Sequence, residues 1–185
     1  MLLAACSTPL SSARAAGIDA APKLCATLAS HEGWPEAVST ASERWDVPAP
    51  LLLAFIRQES NFRPGLGGSP STQAPYGYPQ ASLATWAAYR KAAGRPEASR
   101  DDFADSVDFV AWYAAGTFER TGAPYSKVFA HYLAYSRGPA PVGPPHQGSL
   151  QNATRVAAYA TAYEKDLSAC PLPQSKTTEV AELGG

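Results

Sequence analysis

The octapeptide Phe55-Ile56-Arg57-Gln58-Glu59-Ser60-Asn61-Phe62 places a carboxylate where it could do acid–base chemistry. Glu59 lies three residues after Ile56, four after Phe55 and three before Phe62. A helical period puts all four on one stripe. A carboxyl surrounded by apolar side chains loses solvation of its charged form, so its pKa rises. Such a group can hold a proton near neutral pH, donate it as a general acid and later take one back.

Other groups offer weaker chemistry. Asp101, Asp102, Asp105 and Asp108 form the one acidic cluster. Acids in a first helical turn answer the helix dipole, so a structural role is the first reading. Asp105 or Asp108 could alternatively serve Glu59 as a second carboxylate. His131 stands singly on a helix and reads as structural, with a base as the alternative. The four tryptophans read as core. Three scattered histidines and no close Cys/His spacing argue against a metal site, and nothing in the sequence calls for a cofactor.

The elements that must position Glu59 read as helices throughout. They are expected from about Pro22 to Ser30, from Pro35 to Trp45, and from near Pro48 through Glu59. Ser82 is expected to cap a helix that stops at Gly94, and Asp101 or Asp102 one that ends at Gly122. Further helices are expected over Ser126 to Tyr135 and Leu150 to Leu167. Two Gly/Pro-rich stretches, Arg63 to Gln80 and Ser136 to Gly148, cannot be regular structure. They are expected to line opposite sides of one cleft with Glu59 at its floor. No alternating strand pattern and no repeat is present, so the fold class is all-α, in one domain.

Apolar residues at 45% of the chain suit a globular fold with a proper core, and 185 residues leave little room for a second domain. A formal charge of −1 gives no field that would gather nucleic acid. Leu3-Ala4-Ala5-Cys6 resembles a bacterial lipobox, in which the cysteine becomes the lipidated N-terminus. The segment before it is too short for a full signal, and the reading expects the signal to begin further upstream. Residues 1–20 are therefore read as signal remnant and tether, 21–170 as the domain, and 171–185 as a disordered tail. Lipidation of Cys6 leaves Cys25 and Cys170, an even pair that suggests a disulfide in an oxidising compartment. The expected setting is the periplasm, with a lipid anchor in a bacterial membrane.

Three motifs in order carry a family resemblance. Glu59-Ser60-Asn61-Phe62-Arg63-Pro64 matches the Glu-Ser-x-Phe-x-Pro signature of the soluble lytic transglycosylases. Tyr76-Gly77-Tyr78-Pro79-Gln80 takes the place of their Gly-Leu-Met-Gln motif, and His131-Tyr132-Leu133-Ala134-Tyr135-Ser136 that of their Ala-Tyr-Asn segment. Roughly residues 35–165 resemble the family. Pro79 and Ser136 depart from its usual residues, and the loop after Glu59 is longer.

The resemblance implies a goose-lysozyme-like helical domain that acts as a monomer on peptidoglycan glycan strands. Glu59 would protonate the bond between N-acetylmuramic acid and N-acetylglucosamine, then deprotonate the muramic acid 6-hydroxyl, giving a 1,6-anhydro product. It also implies substrate contacts from Ser60, Tyr78, Gln80 and Tyr135, with Tyr135 orienting Glu59 or touching the sugar. Plain structural roles remain open for each: a helix cap for Ser60, loop packing for Tyr78 and Gln80, a core tyrosine for Tyr135. Two other functions remain open, a hydrolysing muramidase and a non-catalytic wall-binding lipoprotein of an envelope secretion or conjugation machine.

Overall fold

The computed structural model describes residues 24–138 and 142–174. Cys6, the tether and residues 175–185 lie outside the described residues, as do 139–141 of the second Gly/Pro loop. Seven helices carry the described chain: α1 (Leu24–Ala29), α2 (Trp34–Trp45), α3 (Ala49–Ser60), α4 (Leu83–Ala93), α5 (Phe103–Thr121), α6 (Val128–Arg137) and α7 (Gln147–Ala169). No strand occurs among the described residues, only isolated bridges of Tyr76 with Gly67 and with Ala81. The fold is all-α, of the lysozyme-like helical type.

Helix α3 is the axis of the molecule. Leu51, Leu52, Leu53, Ala54, Phe55 and Ile56 are all buried, which no one-sided surface helix allows. Helices α2 and α5 cover one side of it and α7 another, while α6 bridges α7 and α5. Desolvating this run drives the packing. It also fixes how far α3 can rotate, and so where Glu59 points.

The helix ends follow local chemistry. Ser82 Oγ accepts from Thr85 N at 3.2 Å to cap α4, and Gly94 closes it in the left-handed region. Asp102 caps α5 by accepting from Asp105 N at 2.8 Å, and Gly122 ends it. Two starts differ from the sequence reading. Helix α6 begins at Val128, two residues after Ser126, because a turn from Lys127 N to Pro124 O precedes it. Helix α7 begins at Gln147, three before Leu150, directly after the Pro144-Pro145-His146 run.

Cys25 and Cys170 form a disulfide with Cα atoms 5.9 Å apart. It joins the short α1 to the end of α7 across 145 residues of sequence. In the chain-entropy model a crosslink of that span stabilises the fold by about 4–5 kcal/mol.

Candidate functional site

Glu59 sits in the last turn of α3, followed by an abrupt reversal. Asn61 and Phe62 both take positive φ, 54° and 59°. Asparagine tolerates that region, but phenylalanine seldom does. The Phe62 ring packs 6.1 Å from Trp34, which holds the turn in place. Arg57 Nη1 also donates to Asn61 Oδ1, tying the helix end to the reversal. Glu59 is thereby held at a fixed exit.

Among the described residues the carboxyl has one side-chain hydrogen-bond donor. Tyr132, on α6, donates its hydroxyl to Glu59 Oε1 at 2.7 Å. Glu59 is half-buried as a residue, yet its carboxyl is crowded enough for lost solvation to dominate. Burial raises its pKa from 4.5 to about 7, against the lowering effect of the Tyr132 bond. No second carboxylate is a cause of that shift. Tyr132 itself is pushed far above the ordinary tyrosine range, first by burial, then by the Glu59 charge and their mutual bond. It remains a proton donor throughout the neutral range.

The sequence reading had Tyr135 either orienting Glu59 or touching the sugar. The phenol that reaches the Glu59 carboxyl is that of Tyr132, one helical turn earlier. Tyr135 instead donates to Pro79 O at 2.5 Å. Both rings pack against Phe55 at centroid distances of 5.2 Å, so all three residues share one corner with Glu59. The Glu59 charge also contributes, after burial, to holding the Tyr135 phenol well above its usual pKa.

The loop after α3 is pinned at many points. Gln80, at φ 48°, donates Nε2 to Leu66 O at 2.7 Å and Gly77 O at 2.9 Å. Buried Arg100 donates to Ala81 O at 2.7 Å and Pro70 O at 2.5 Å, and its guanidinium lies 5.1 Å from the Tyr76 ring. Asp101 accepts from Gly65 N and from the Tyr76 hydroxyl, each at 2.8 Å. The capping competition thus resolves to Asp102, and Asp101 anchors the loop. The loop carbonyls of Leu66, Pro70 and Gly77 are thus already hydrogen-bonded within the fold.

Two residues expected to meet substrate face inward. Ser60 is 1% exposed and donates Oγ to Ile56 O at 3.2 Å, within its own helix. Tyr78 is 6% exposed, its ring set edge-on against Trp34 and Phe103 at 5.9 and 5.6 Å. Gln80 and Tyr135 do meet at one cavity of about 210 Å³. Pro75, Gln80 and Ala81 form one wall, Tyr135, Ser136 and Gly138 the other, with Phe109 and Tyr113 between. The two Gly/Pro loops therefore face each other. Glu59 does not line this cavity, so it is not the floor expected between the two loops.

The remaining candidates are engaged by partners within the fold. Asp108 accepts from Trp45 Nε1 at 2.9 Å, from the Tyr89 hydroxyl at 2.7 Å and from Arg44. Asp105 accepts from Ser99 N at 2.8 Å and pairs with Arg95 at 2.7 Å. Asp108 ties α5 to α2 and α4, and Asp105 ties it to the segment between α4 and α5. Buried His131 hydrogen-bonds Ala123 O through Nε2 at 2.8 Å and packs on Tyr125. No group of three His, Cys, Asp or Glu that could hold a metal occurs among the described residues.

One carboxyl with a raised pKa, one phenol donor and a loop-walled cavity beside it suit glycan cleavage by a lone acid/base. The chain matches the family model described as the transglycosylase SLT domain over residues 1–170. It belongs to the transglycosylase SLT domain family. No curated protein and no solved structure matches it. Members of the family are lytic transglycosylases that act on peptidoglycan in the cell envelope.

Proposed function

We propose that this SLT domain is an active lytic transglycosylase with Glu59 as its sole acid/base. Protonated Glu59 donates to the glycosidic oxygen between N-acetylmuramic acid and N-acetylglucosamine, and that C–O bond breaks. The resulting carboxylate takes the proton of the muramic acid 6-hydroxyl while its oxygen bonds to C1. The product is a 1,6-anhydro sugar, no water is consumed, and Glu59 ends protonated as it began. Tyr132 stabilises the carboxylate formed midway. Gln80 and Tyr135 line the neighbouring sugar subsite, and Ser60 and Tyr78 support it from within.

The observation that carries this reading is the state of Glu59. A pKa near 7 suits a group that must give and then take a proton at neutral pH. The engagement of Asp105 and Asp108 by Arg44, Arg95, Trp45 and Tyr89 disfavours the hydrolytic alternative, which needs a second carboxylate to place water. Digestion of purified sacculi with mass analysis tests the proposal. Anhydro-muropeptides are expected; products one water heavier would identify a hydrolase, and no release a wall-binding protein. Glu59→Gln is expected to lose activity by about 10³-fold, because the amide cannot donate and recover a proton.

The lipobox-like Leu3-Ala4-Ala5-Cys6 supports attachment of the domain to a membrane facing the wall. Mass spectrometry of the mature protein from membranes should find Cys6 lipidated.

A further inference from the structure

The described ion pairs gather on one flank: Arg44 and Arg95 meet Asp105 and Asp108 between α2, α4 and α5. The arginines near the end of α3 are differently placed. Arg57 lies over the Tyr159 ring, 5.7 Å from its centroid, and reaches back to Asn61. Arg155 is exposed and donates to Asn152 Oδ1 at 3.3 Å. Neither pairs with a carboxylate among the described residues.

Helix packing brings these two cations to the same end. Leu51 shares a cavity with Ala160 and Glu164, and Arg57 covers Tyr159. Helices α3 and α7 therefore run antiparallel, and the chain beyond Arg57 meets α7 before Tyr159, where Arg155 lies. Arg155 and Tyr159 are four residues apart on α7 and share a face. The field of Arg155 also reaches the Tyr132 phenol, and so the corner that holds Glu59. Glu164 and Asp166 follow Tyr159 toward the Cys170 end, away from this corner.

Two guanidinium groups, one stacked on an aromatic face and both without an acid, make a recognition surface for carboxylate. We propose that Arg57 and Arg155 form a carboxylate-binding subsite beside Glu59 that takes the acidic peptide stem carried on the muramyl lactyl group. This rests on the reading of Glu59 as the cleavage site. It deepens that reading by making stem-bearing glycan the preferred substrate. The chain's charge of −1 leaves such local cations as the means of holding a polyanionic strand.

The test compares three glycan preparations: strands with free-acid stems, the same strands with amidated stems, and strands stripped of stems by an amidase. Wild type is expected to prefer the free-acid stems by on the order of ten-fold in kcat/KM. Arg155→Ala should raise KM on those strands by about ten-fold, leave the stripped strands unaffected, and be partly rescued by lysine, whereas Arg57→Ala, which also frees Asn61, should lose more on free-acid stems than on stripped strands. Thermal melting of each variant separates a folding defect from lost recognition. Equal losses on stem-bearing and stripped strands, or no loss on either, would overturn the subsite. Binding of the same strands to Glu59→Gln, with and without Arg155→Ala, gives the answer even if wild type cleaves none of them. Tighter binding of free-acid stems that vanishes with Arg155 supports the subsite, and indifference to stem and arginine removes it.

Discussion

Tyr132 donates its hydroxyl to Glu59 Oε1 at 2.7 Å, across 73 residues of sequence. Together with the packing of Tyr132 and Tyr135 on Phe55, this bond links the two helices that make the site, α3 and α6. It opposes burial: desolvation lifts the Glu59 pKa, and the phenol stabilises the ionised form and holds the rise to about 7.

The first consequence is kinetic. Tyr132→Phe removes the donor while keeping the ring against Phe55. The carboxylate formed as Glu59 donates its proton is then less stable. Turnover is expected to fall by on the order of ten- to a hundred-fold, the worth of one hydrogen bond to a charged group. The alkaline limb of the activity profile, set by loss of the Glu59 proton near pH 7, should move upward. Tyr135→Phe releases Pro79 O instead and should leave that limb in place. A pH–rate series on the two variants checks both, and an unmoved limb in Tyr132→Phe sinks the assignment.

Much of this architecture was legible because it is local. The apolar stripe through Phe55, Ile56 and Glu59, the Ser82 cap, a cap at Asp101 or Asp102, and the stops at Gly94 and Gly122 depend on neighbours within a turn. The cysteine pair was legible from parity once Cys6 was set aside as lipidated, together with the oxidising compartment that lipidation implies. The choice between Tyr132 and Tyr135 was not. The two are three residues apart and share a helix face, so the rotation of α6 decides which phenol reaches Glu59. That rotation is set by α5 and α7, which no local pattern reports. Arg100 and Asp101 were also unreadable as loop anchors, since their partners Gly65, Pro70, Tyr76 and Ala81 lie 19 to 36 residues away.

The loop anchor gives a second prediction. Gly77 has φ 74°, and a Cβ there would lie 2.2 Å from Arg100 O. That carbonyl already accepts from Tyr78 N at 3.0 Å. Gly77→Ala cannot be accommodated without lifting the loop from Arg100, and Gln80 would lose its hold on Leu66. A destabilisation of about 1–3 kcal/mol is expected, with a larger loss of activity than of helix content. Calorimetry, circular dichroism and turnover together check this; an unchanged melting temperature would count against the anchor.

The disulfide gives a third. Cys25→Ser with Cys170→Ser frees α1 from the end of α7 but leaves Glu59, Tyr132 and the Gln80 cavity intact. The double variant should melt well below wild type, by a stability loss of up to about 4–5 kcal/mol, while its turnover at low temperature stays close to normal. An equal fall in low-temperature turnover would mean that α1 shapes the site.

The last prediction concerns stability against pH. The folded pKa of Glu59 is raised, from 4.5 to about 7, so the fold prefers the protonated carboxyl. That preference is fully expressed below about pH 4.5 and is lost as pH rises through about 7, where the fold must hold a poorly solvated carboxylate. Glu59→Gln keeps an acceptor for Tyr132 and carries no charge at any pH. The variant should therefore gain on wild type as pH rises, by on the order of 2–3 kcal/mol at pH 8 and by far less at pH 5. A domain of this size translates such a gain into several degrees of melting temperature. Calorimetry of both proteins at the two pH values reads it directly. A gap that does not widen between pH 5 and pH 8 would mean that the carboxylate is not held against its solvation, and the basis for Glu59 as a proton donor at neutral pH would go with it.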